Sequence, residues 1–75
     1  MEGNGKKRIV KEHLLKIHFR KLEELENRIL DIFEMVGINN LTNYNIYEIN
    51  TLEERIELEK GAIIKLQKEL KELGE

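Results

Sequence analysis

Carboxylates, two histidines and a run of cations are the side chains in this sequence whose types and spacing could do chemistry. Glu53, Glu54, Glu57 and Glu59 crowd one short stretch. Paired carboxylates do acid–base work when a nucleophile or a second acid faces them in one site. No convincing nucleophile accompanies these four, so no catalytic residue is assigned. Glu53, Glu54 and Glu57 read as the charged flank of a solvated helix. Glu59 interrupts an apolar stripe, where a charge is costly unless it is paired or reaches water. Arg28 and Lys60 are its expected partners. A register-fixing ion pair is the plain reading and a catalytic carboxylate the sharper one.

His18 also falls on an apolar stripe. A hydrogen-bonded or partly exposed histidine at the end of a bundle is the plain reading. A packing switch near neutral pH is the alternative, because histidine titrates there. His13 lies five residues away, a poor spacing for one helix face. Zinc would need further ligands from elsewhere. No metal site and no cofactor is expected.

The cations gather at the front. Residues 1–21 hold seven Lys or Arg against Glu2 and Glu12, a balance of +5, and residues 22–75 hold six against thirteen acids, a balance of −7. Lys6, Lys7, Arg8 and Lys11 are the candidate nucleic-acid contacts. They would touch phosphates and give affinity with little sequence specificity. The same asymmetry also suits one helix attracting an acidic neighbour in its own fold. GNGKKRIVK has too few glycines, and no preceding strand, for a phosphate loop or a dinucleotide fingerprint. A basic segment before heptads resembles a basic zipper, but Ile9, Val10, Leu14 and Leu15 interrupt its polarity.

These groups must be positioned by very little chain. Seventy-five residues make one domain at most, with marginal stability alone. Cysteine is absent, so there is no disulfide and no thiolate zinc site. No apolar run is long enough for a membrane span. The start, MEGNGKKRIVKEH, has no uninterrupted apolar stretch or small-residue cleavage site, so no secretory signal is expected. A cytoplasmic protein is the expectation. The bias toward Ile, Asn, Lys and Glu suits a viral or plasmid-borne regulator, which would place it in a host cytoplasm.

Proline is absent, and Leu, Glu and Lys favour helix. A first helix is expected over about 8–36, after a flexible basic arm over 1–7. Its stripe is Leu15, His18, Leu22, Leu25, Ile29, Ile32 and Val36, stepping by threes and fours. Phe19, Phe33, Leu14 and Met35 widen the face beyond one seam. A second helix is expected over about 45–73, with Ile49, Leu52, Ile56, Glu59, Ile63, Leu66, Leu70 and Leu73 as its stripe. Asn45 with Glu48 has capping-box spacing, Thr51 with Glu54 is the alternative start, and Gly74 is a plausible stop. Between the helices, GINNLTNYN begins with a glycine suited to a left-handed cap and continues with turn-forming asparagines.

The matching stripes predict an all-α, antiparallel two-helix hairpin, coiled-coil-like, in one domain over 8–74. The expected pairs are Val36 with Ile49, Ile29 with Ile56, Leu22 with Ile63 and Leu15 with Leu70. Between them fall Ile32 with Leu52, Leu25 with Glu59, and His18 with Leu66. Phe19, Leu30, Phe33, Leu58, Ala62 and Ile64 lie outside the seam. They suggest a homodimer forming a four-helix bundle.

INTLE, residues 49–53, is similar to the SQELD signature of the small aspartyl-phosphate phosphatases that regulate sporulation. Leu52 matches that signature, Glu53 stands in place of its aspartate, and about residues 22–60 can be laid against the family. The resemblance implies a helical hairpin acting on a phosphorylated response regulator. The departures at the other signature positions leave no catalytic role to carry over. The leading expectation is a non-enzymatic regulator or adaptor that self-associates and binds another macromolecule, a protein before a nucleic acid.

Overall fold

The computed structural model describes residues 2–73, with side chains from residue 5 onward. Helix α1 spans Glu2–Val36, a single 3-10 turn spans Ile38–Asn40, and helix α2 spans Asn43–Leu73. The two helices lie antiparallel in a hairpin measuring 57 × 15 × 14 Å. All regular structure among the described residues is helical. No described helix is long and apolar enough to cross a membrane.

Helix α1 begins at Glu2 rather than near Arg8, so the described part of the expected flexible arm is helical. Once a helix is nucleated, each added residue gains a backbone hydrogen bond. Gly3 and Gly5 weaken that extension without preventing it. Gly74, the expected stop of the second helix, lies outside the described residues.

Both helices turn their three-four stripes inward. On α2, Ile49, Leu52, Ile56, Ile63 and Leu66 are buried, and Leu70 is half-buried. On α1, Leu15, Leu22, Leu25, Ile29, Ile32, Phe33 and Val36 are all half-buried. No described α1 residue is fully buried. One helix can cover the middle of the α1 face but not its wide flanks. Ile17, outside the expected set, is also half-buried. Its signal is its three-residue step from Leu14 on the flank of the stripe.

The connection is shorter than expected because α2 starts at Asn43. Gly37 has φ 84° and ψ 145°. The positive φ is the glycine-dependent feature anticipated there. The extended ψ makes it a reversal of direction instead of a left-handed helical cap. Gly37 N–H donates to the Phe33 carbonyl at 2.8 Å, and Asn40 N–H donates to the Gly37 carbonyl at 3.1 Å.

Thr42, not Asn45, caps α2. Asn45 N–H donates to Thr42 Oγ1 at 3.1 Å, and Thr42 N–H donates to Asn45 Oδ1 at 3.0 Å. This reciprocal pair has the logic of a capping box, with Asn45 where Glu or Gln usually stands.

Candidate interaction surfaces

Among the described residues, two polar contacts cross the helix–helix seam. His18 Nδ1 contacts Glu59 Oε2. A carboxylate accepts, so the Nδ1–H donates. Both side chains are largely enclosed, at 25% and 19% exposure. Lys11 Nζ donates to Glu69 Oε2 at 2.6 Å. That hydrogen bond, with the Lys11 charge, holds the Glu69 carboxyl below its ordinary pKa.

These contacts correct the expected register. His18 was set opposite Leu66 but meets Glu59, seven residues earlier in α2. Of the two partners expected for Glu59, Arg28 lines the same groove, and Lys60 Nζ lies 3.9 Å from Glu57 Oε1 instead. A three-four stripe repeats along the helix, so several staggers bury similar apolar surface. The partly enclosed charges must find partners, and the short connection restricts the slide. Together they select the stagger.

The candidate phosphate contacts divide. Lys6 and Lys7 are exposed. Arg8 lies 3.9 Å from Glu12, and Lys11 is paired with Glu69. Lys6, Lys7, Val10 and Leu14 line a shallow groove with Glu72 and Leu73.

The expected outer patch also divides. One side of the hairpin carries a groove lined by Glu26, Leu30, Asn50, Glu53, Glu57 and Lys60. The helical repeat adds Phe19, Phe33, Ile46 and Ile64 to this side, three, four or seven residues from groove members. Phe19, Leu30, Ile46 and Ile64 are exposed, and Phe33 is half-buried. Leu58 lines the groove on the other side, among Lys21, Arg28, Asp31 and Arg55. Its exposure is 75%. Phe19, Phe33 and Ile64 therefore share a side that Leu58 does not.

The two threonine hydroxyls have local partners. Thr42 Oγ1 lies 2.8 Å from Asn45 Oδ1, and Thr51 Oγ1 donates to the Tyr47 carbonyl at 3.0 Å. No group of three or more His, Cys, Asp or Glu side chains among the described residues could hold a metal ion. What the arrangement offers is two open, partly apolar faces flanking a closed seam. The chain matches no protein-family model, no curated protein and no solved structure.

Proposed function

We propose that this chain is a non-enzymatic interaction module, a small regulator or adaptor that self-associates and binds another protein through its outer helix faces. The carrying observation is the pair of open faces, with Leu30 and Ile64 on one and Leu58 on the other. Burying one large apolar side chain contributes on the order of 1.5–3 kcal/mol. A few such residues per chain can drive association into a four-helix bundle.

The test is light-scattering mass after size exclusion, over a range of concentrations and at low and high salt. Absorbance at 260 and 280 nm is followed on protein purified without nuclease. A mass above the 8.9 kDa of one chain, without nucleic-acid absorbance, is the expected result. An 8.9 kDa species at every concentration removes self-association.

The second reading is nucleic-acid binding, favoured by exposed Lys6 and Lys7 beside the groove with Val10 and Leu14. It predicts a salt-sensitive complex rich in 260 nm absorbance. The pairing of Lys11 with Glu69 makes it the weaker reading. Phosphatase action is third. Glu53 shares an open groove with Asn50, and an unchanged dephosphorylation rate in Glu53→Gln would discard it.

A further inference from the structure

We propose that a second copy of this chain packs antiparallel across the face bearing Ile9, Phe19, Leu30, Phe33, Ile46 and Ile64, about a two-fold axis near the middle of α1. This inference rests on the self-association reading and specifies its geometry.

The face is apolar toward both ends and charged between them. Ile9 is 68% exposed near one end. It lies seven residues before Lys16 on the same stripe. Phe33 and Ile46 lie near the other end, beside the interhelix connection. Between the ends, the balance of charge changes sign. Lys16 and Lys60 sit toward the Ile9 end, where the one acid on the α1 stripe among the described side chains, Glu12, lies 3.9 Å from Arg8; Lys60 lies 3.9 Å from Glu57, where the acids begin. Glu23, Glu26, Glu53 and Glu57 form an acidic band toward the Phe33 end. Glu26, Glu53, Glu57 and Lys60 line one groove with Leu30, which shows that both helices contribute to this face.

A two-fold interface is self-complementary, so each patch must fit what the axis brings over it. An axis between Phe19 and Glu23 carries the Ile9 end of one copy over the Phe33 end of the other. It carries Lys16 over the acidic band, close to Glu26. The lysines of each copy therefore meet the carboxylates of its partner, twice by symmetry. A parallel arrangement would stack the acidic bands on each other along their whole length, at a cost, whereas the antiparallel one confines that contact to the acids nearest the axis, Glu23 among them.

The opposite face lacks this arrangement. Its Lys11 is held across the seam by Glu69 at 2.6 Å, closer than the 3.9 Å contacts of Arg8 and Lys60 on the proposed face. Around Leu58, cations and acids are interleaved, with Lys21, Arg28 and Arg55 beside Glu24 and Asp31. That pattern gives no sign separation for a two-fold axis to match.

Charge swapping tests the geometry. One variant carries Lys16→Glu and Lys60→Glu, and the other carries Glu26→Lys and Glu53→Lys. All four positions are exposed, and circular dichroism checks that helicity is kept. Each variant alone is expected to weaken dimerisation at least tenfold. Mixed one to one, the two are expected to recover a dimer of wild-type mass, because each copy's altered charges then meet opposite ones. Leu58→Asp serves as the control on the other face and is expected to leave the dimer intact. A dimer indifferent to both charge variants but broken by Leu58→Asp overturns the proposed face while self-association stands. A wild-type monomer overturns both.

Discussion

At the scale of single residues, the seam depends on two polar contacts that do different work. His18 and Glu59 occupy positions where leucine would bury more apolar surface. Replacing both partners of an enclosed polar pair with apolar groups is often neutral or stabilising. His18→Leu with Glu59→Leu is therefore expected to match or exceed wild-type stability in urea. His18→Leu alone should destabilise by about 1–3 kcal/mol, because it leaves a largely enclosed carboxylate unpaired. A single variant as stable as the double would show that Glu59 does not depend on His18. Glu69 gives a pH prediction. Its folded-state pKa is lowered by the Lys11 hydrogen bond and charge. Its contribution is then present above the ordinary carboxylate range and fades as pH falls through the folded value. Glu69→Gln should lose this pH-dependent part, and urea midpoints for variant and wild type should converge in acid. A constant gap across pH would contradict the assignment. The oddity of His18 and Glu59 was legible in the sequence, but their contact was not. Side-chain type marks a position as costly without naming the group that relieves the cost.

At the scale of elements, the helices were easier to read than their ends. The inward stripes stand out because helix periodicity is a strong signal over many residues. The start of α2 was obscured because Thr42 and Asn45 form their cap without Glu or Gln in the usual place. The start of α1 was obscured because weak helix formers do not end a helix that nothing else stops. Two glycines make opposite predictions. Gly37 has a positive φ with an extended ψ, so Gly37→Ala should cost about 1–3 kcal/mol. Gly61 lies on an exposed part of α2, with open space where a Cβ would stand. Gly61→Ala should stabilise by about 1 kcal/mol. Thermal unfolding at fixed protein concentration should then shift up by about 4–8 °C. A loss of assembly in Gly61→Ala would instead mean that a partner helix approaches closely at that position.

At the scale of the whole molecule, the chain folds back on itself and leaves two partly apolar faces uncovered. The hairpin was legible from two stripes of similar length separated by a glycine and asparagine-rich turn. The stagger was not, since equivalent stripes tolerate several offsets until specific polar groups choose among them. The division of Phe19, Phe33 and Ile64 from Leu58 was also hidden. It follows from which flank each residue occupies once the seam is closed. Both faces depend on the return of α2 along α1. The most direct measurement is a pulsed electron-resonance distance between spin labels at Lys7→Cys and Lys71→Cys, in labelled chains diluted with unlabelled protein. The hairpin predicts a short intrachain distance, on the order of its 15 Å transverse extent plus the label arms. A continuous helical rod would separate the same sites by roughly 95 Å at about 1.5 Å per residue, and the absence of any short intrachain distance would contradict the account.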